Sequence, residues 1–164
     1  MAEAATVQLL GKIDTLLDTA LRQKSALAET EAADTSAYDT MMAALAKICV
    51  AAHAAAVARG DHNSTRAILE KYLGLDQHHW QLRARLAESH LQLGNPVEAT
   101  RQFRRALEGQ PDNAALCFGL GVGLMQAGHK RDAVSAFESA CRIDPGHIGA
   151  ANNLANLLCE TGAH

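Results

Sequence analysis

The residues of this chain best suited to chemistry are ones that recognise rather than react. The run Ala150 to Leu158 reads AANNLANLL, and Asn152, Asn153 and Asn156 bring side-chain amides that both donate and accept hydrogen bonds. A row of such amides can hold a peptide backbone without reading its sequence. Phe118, Val122 and Met125 stand at i, i+4 and i+7, which puts them in one apolar stripe on a helix. Leu116, Leu120 and Leu124 already supply core positions there, so the stripe is expected either to serve an apolar segment of a partner or to be covered by the chain's own N-terminal helix or a neighbouring subunit.

Reactive arrangements are not found. No nucleophile, base and orienting group recur at a plausible site, so no catalytic residue is assigned and the chain is read as a non-enzyme. Cys49, Cys117, Cys141 and Cys159 lie far apart with no CxxC spacing, and a zinc site needs ligands clustered in pairs. They read as reduced, buried small hydrophobes. The adjacent His78 and His79 have no third ligand at useful spacing, so neither a metal nor a cofactor is expected. Arg101, Arg104 and Arg105 form a basic cluster, but Glu98 and Glu108 are nearby, and a mixed charged run is usually a solvated face.

Composition narrows the class. Hydrophobic residues make up 48% of 164 residues, enough for a core, yet aromatics are only 4% and alanine is abundant, which favours closely packed helices. The length suggests one domain. A net charge of −3 with interspersed signs argues against a nucleic-acid partner, which would call for a basic face. Met1 to Thr6 has no basic stretch ahead of an apolar one, and no apolar run approaches the ~20 residues needed to span a bilayer. A cytoplasmic protein without a membrane partner is the expectation.

The elements that must position these residues follow from a repeat. Leu86, Ala87, Gly94, Ala99, Phe103, Ala106 and Pro111 reappear 34 residues later as Leu120, Gly121, Gly128, Ala133, Phe137, Ala140 and Pro145. Gly60 and Gly162 extend the glycine series at the same spacing. Glycine between paired helices suits a tight turn that needs positive φ. The small residues belong where helices cross, and the phenylalanines between neighbouring pairs. A 34-residue period of this kind marks helix-turn-helix solenoid repeats, and the chain resembles the tetratricopeptide repeat (TPR) family.

That resemblance implies an all-α, right-handed superhelical solenoid of antiparallel helix pairs, with an extra N-terminal helix. The expected divisions are 1–35, an amphipathic helix and loop; 36–79, a degenerate repeat in which Thr65 and Leu69 replace A-x-x-x-F; 80–113 and 114–147, full repeats; and 148–164, the first helix of a further repeat. The first helix of each pair lines the concave groove in the family. The resemblance therefore places Gln81, Ala84, Arg85, Glu88 and Leu91 there, then Ala115, Phe118, Val122 and Met125, then Asn152, Asn153, Asn156, Cys159 and Glu160.

From Val7 to Ala28, apolar residues at Val7, Leu10, Ile13, Leu17, Ala20, Leu21 and Leu27, widened by Leu9 and Leu16, predict an amphipathic helix. It is read as a packing or capping helix, with pairing to a second chain or lying in the solenoid's own groove as the competing use. Glu29 to Ser36 reads as a loop in which Asp34, Thr35 or Ser36 caps the next helix. Leu154, Leu157 and Leu158 make the last helix apolar on more than one side, so another molecule or more chain is expected to cover it.

The function expected is a scaffold or interaction module binding a protein or peptide, through Phe118, Val122 and Met125 as apolar anchors with Arg85, Glu88, Leu91, Asn152, Asn153 and Asn156. Self-association through the first or last helix is expected too. The asparagine run also resembles repeats of the O-GlcNAc transferase family, which implies the alternative of an N-terminal region of a larger transferase. A small TPR secretion chaperone is a third reading. A carboxylate clamp for chaperone tails needs a Lys and Asn set over three helices, and that set is missing.

Overall fold

The structure, a computed structural model, describes residues 2–28 and 36–161. Among these residues there are eight α-helices and no strand: α1 (Ala2–Ala28), α2 (Ser36–Val57), α3 (His62–Leu75), α4 (Trp80–Gln92), α5 (Pro96–Gly109), α6 (Ala114–Gln126), α7 (Lys130–Ile143) and α8 (Ile148–Thr161). The chain divides into two compact units, Met1–Leu82 and Arg83–His164, where its length suggested a single domain. Repeat chains pack chiefly between sequence neighbours, so length alone is a poor guide to their division.

In the first unit α1 packs on α2 and α3. Ile13, Leu17 and Ala20 are buried, at one-turn spacing. Leu21 and Leu16 were expected in the same stripe but are 50% and 44% exposed. The Lys24 ammonium donates to the Leu75 carbonyl at 2.6 Å, closing the end of the α1–α3 contact. Lys71 of α3 reaches Asp14 and Asp18 of α1, at 2.6 Å each. The side chains of Val7, Leu9, Leu10 and Leu27, and the capping positions Asp34 and Thr35, lie outside the described residues.

Helix α2 is long and apolar enough to cross a membrane by length and composition, which the search for apolar runs did not anticipate. Its apolar face is used within the unit: Met42, Leu45, Cys49, Ala52 and Ala56 are buried, and α2 packs on α1 and α3. Burial raises the Cys49 thiol to about 11. At the α2–α3 turn Gly60 has φ 71°, and the Asp61 carboxylate accepts the Ser64 N–H at 3.2 Å as the cap of α3. The worn repeat keeps the burial pattern with different side chains. Thr65, Leu69 and Tyr72 are each 1% exposed at the positions that Ala99, Phe103 and Ala106 occupy one period on. Tyr72 supplies the volume that Leu69 gives up, and its hydroxyl donates to the Met42 carbonyl at 3.1 Å.

In the second unit, Gly94 and Gly128 take φ of 72° and 83° at the turns before α5 and α7. A side chain there would be strained, and glycine adopts this backbone without cost. Ala99, Ala106, Ala133, Ala140 and Phe137 are 0% exposed, and Phe103 is 3% exposed. Fully burying each phenylalanine contributes ~1.5–3 kcal/mol. Helix α6 packs on both α5 and α7, and two of its glycines make room for the rings. A Cβ on Gly119 would stand 2.5 Å from Phe103, and one on Gly121 would stand 2.5 Å from Phe137.

Candidate functional site

Helix α8 starts from a cap built by its neighbours in sequence. The Asp144 carboxylate accepts the Gly146 N–H at 3.0 Å, and Nδ1 of His147 accepts the Ala150 N–H at 3.1 Å. The His147 ring lies 4.7 Å from the Phe118 ring, which in turn lies 5.8 Å from Phe137. A Cβ on Gly149 would come within 3.3 Å of Phe118. Phe118 is thus seated between α7 and the start of α8, and the missing side chain at Gly149 lets α8 approach it.

The candidate anchors Phe118, Val122 and Met125 are all half-buried and packed on the core cluster that contains Leu124, Phe137 and Leu157. They form the outer edge of that core rather than a stripe standing apart from it. On α8, Asn152 and Asn156 are exposed one turn apart, and Asn153 is half-buried. Cys159 is exposed, unlike the buried Cys49 and Cys117 and the partly buried Cys141, so the expectation of four buried thiols fails at this position. Glu160 is held by Lys130 of α7 at 2.8 Å.

On α4, Arg85 is half-buried, and its Nε is buried with no hydrogen-bond partner among the described residues; Glu88 is exposed and Leu91 half-buried. Leu91 comes 3.7 Å from where a Cβ of Gly123 would stand, so α4 meets α6 at that glycine. Ala84 is half-buried, while Gln81 and Ala115 are exposed. The structure therefore links Leu91 to α6 and Phe118 to the start of α8, and it turns Glu160 toward Lys130.

Two features went unread in the sequence. One is the role of His147, Gly119, Gly123 and Gly149, although three alternate glycines in one helix were a signal that something large must fit against it. The other is a polar chain joining α4 to α5. Arg83 and Gln102 are only 7% and 5% exposed, and Arg83 Nη1 donates to Gln102 Oε1 at 2.9 Å. Gln102 Nε2 donates to Glu98 at 2.6 Å, and Arg101 donates to the same carboxylate at 2.6 to 3.1 Å. Burial pushes the Glu98 carboxyl up, but the hydrogen bonds from Arg101 and Gln102 outweigh it and leave it below its ordinary value. Arg83 falls one period from both Cys49 and Cys117, so its core register was legible from the spacing.

The class these features define is an all-α protein built from successive helix pairs. A family model described as tetratricopeptide repeat matches residues 56–120, and solved TPR structures share the fold. The second TPR domain of the human RPAP3 protein, solved in complex with the HSP70 peptide SGPTIEEVD, is 16% identical with a TM-score of 0.64, over 66% of this chain and 91% of that one. A MamA RS-1 double mutant is 15% identical with a TM-score of 0.68, over 95% and 86% of the two chains. A mutant O-GlcNAc transferase of Thermobaculum terrenum is 22% identical with a TM-score of 0.66 over 71% of this chain, which matches only 22% of that enzyme. No curated protein matches the sequence.

Proposed function

We propose that this chain is a non-catalytic interaction module that takes a peptide or helix of a partner protein across α4, α6 and α8. The observation that carries the proposal is the pairing of half-exposed apolar side chains, Phe118, Val122 and Met125, with the exposed amides of Asn152 and Asn156. Apolar side chains of the ligand would rest on the first group while the amides held its backbone. Arg85, Glu88, Leu91 and Asn153 complete the proposed contact set. The HSP70 peptide bound by the RPAP3 domain supports a peptide ligand for the fold, although the Lys and Asn clamp set is missing from this sequence. Four free cysteines fit a cytoplasmic setting, where thiols stay reduced. Self-association through α1 or α8 is part of the proposal.

Peptide display against the chain, repeated with Asn152→Ala/Asn156→Ala/Met125→Ala, tests this. These side chains are exposed or half-exposed, so the triple variant should keep its fold and lose the selected peptides by tenfold or more. Peptides that bind both proteins equally would remove the assignment.

A second reading is that the chain belongs to a larger glycosyltransferase of the O-GlcNAc type. It is supported by the asparagine run and by the fold shared with the repeat region of the Thermobaculum enzyme. A native gene product of this size without any downstream catalytic domain would defeat it.

A further inference from the structure

Helix α2 carries more apolar surface than its own unit covers. One side is buried against α1 and α3, yet only 39% of its most apolar eighteen residues lie buried. On the outer side Met41, Ala44, Ile48, Ala51 and Ala55 stand at i, i+3, i+7, i+10 and i+14, a straight seam on a helix. Ala44, Ala51 and Ala55 are exposed, and Met41 and Ile48 are half-buried.

Length, shape and charge define what would cover this seam. Helix α2 has 22 residues and so runs about 33 Å, a span matched by another helix rather than by a short loop. Alanine at three of the five seam positions lets a second backbone approach closely, near ~8 Å between axes. Lys47 is i+3 from Ala44 and i−4 from Ala51, so it borders the seam at its middle. It is exposed, and among the described residues it makes no ion pair or hydrogen bond. From Met41 to Ala58 it is the only Lys, Arg, Asp or Glu, and the next charges along the chain, Asp39 and Arg59, have opposite signs. The seam therefore keeps one uncompensated positive charge at its centre.

That charge separates the possible occupants. In a symmetric pair of α2 helices the two-fold axis falls near the middle of the seam, and Lys47 would meet the Lys47 of the other copy. Crossing a bilayer would carry Lys47, and the Lys71 bridges to Asp14 and Asp18 of the helices packed on α2, into hydrocarbon. A helix from another protein, bringing a carboxylate to the same place, satisfies both the apolar seam and the ammonium.

We propose that the outer face of α2 docks an amphipathic helix of a partner protein, whose apolar side lies along Met41 to Ala55 and whose one mid-helix carboxylate meets Lys47. This face shares no residue with α4, α6 and α8, and the proposal does not rest on the function assigned to them.

The test is fluorescence anisotropy of the full chain with a labelled three-heptad helical peptide that has leucine and alanine on one face, glutamine elsewhere and a single glutamate at its middle. A second peptide carries lysine in place of that glutamate. The glutamate peptide should bind saturably and more tightly than the lysine peptide. Lys47→Glu should weaken the glutamate peptide by about tenfold and restore the lysine peptide, because an attraction becomes a repulsion in one case and the reverse in the other. Ala44→Gln/Ala51→Gln should weaken both by holding the backbones apart, and Arg22→Glu, on α1, should change neither. These side chains are exposed, and circular dichroism melting checks that each variant folds. Absence of saturable binding, equal affinity for the two peptides, or binding unaltered by Ala44→Gln/Ala51→Gln would overturn the proposal. A dimer in light scattering that this double variant abolishes would overturn it in favour of a second copy. Co-sedimentation with phosphatidylcholine–phosphatidylserine vesicles, lost in the same variant, would overturn it in favour of a membrane.

Discussion

Gly121→Ala and Gly11→Ala are the same chemical change and should move stability in opposite directions. In a helix interior, alanine is favoured over glycine by ~1 kcal/mol. Gly11, in α1, is exposed with nothing within 4 Å of a built Cβ, so the propensity gain should appear whole. At Gly121 the new methyl would stand 2.5, 2.7 and 2.9 Å from three atoms of the Phe137 ring, which is 0% exposed. Real contacts do not come this close, and the enclosed ring must move into its neighbours. Overpacking of this kind costs ~1–3 kcal/mol, so with ~1 kcal/mol regained from propensity the net expectation at the upper half of that range is a loss of ~1–2 kcal/mol. For a chain of this size that is a melting point lower by about 2–8 °C, against about 2–4 °C higher for Gly11→Ala. Thermal and urea unfolding followed by circular dichroism would measure both. The pair Gly121→Ala/Phe137→Leu adds the decisive control, because the smaller side chain should relieve the clash and give a coupling of ~1 kcal/mol or more. A Gly121→Ala protein as stable as Gly11→Ala, or strictly additive effects with Phe137→Leu, would refute the claim that the Phe137 ring requires this glycine.

Other expectations follow from burial and charge. Cys159 should react first with a thiol reagent at pH 8, while Cys49, buried with its thiol at about 11, should react only on unfolding; equal rates would contradict the packing of α2. Glu98 has a carboxyl held below its ordinary value of 4.5, so its contribution to stability should be full above that pH and fade as pH falls below it. Glu98→Gln should therefore cost ~1 kcal/mol or less at pH 7 and almost nothing at the acid end, as read from urea midpoints across pH; a constant difference would show that the charge is irrelevant. Lys71→Ala should lower the melting point slightly at low salt and not at 1 M salt, because the bridges to Asp14 and Asp18 are partly exposed and screened.

By itself the sequence determined the period, and with it where the helices pair. Positive φ at Gly60, Gly94 and Gly128 is a local demand of tight turns, and alanine or phenylalanine at a constant offset states which side of each helix is buried. Such information is local or repeats, so it survives without coordinates, even in the worn repeat, where Thr65, Leu69 and Tyr72 keep the burial with other side chains. Only the tertiary structure decided what depends on neighbours distant in the chain. It joined Lys24 of α1 to the Leu75 carbonyl and left Leu21 exposed. It seated Phe118 between Phe137 and His147, so that a stripe expected to stand apart is the edge of the core. It engaged Glu160 with Lys130 and Arg101 with Glu98. Helical periodicity states which way a residue faces along its own axis. What stands opposite, and whether that group satisfies it or leaves it for a ligand, is settled by the approach of helices whose separation no local pattern encodes.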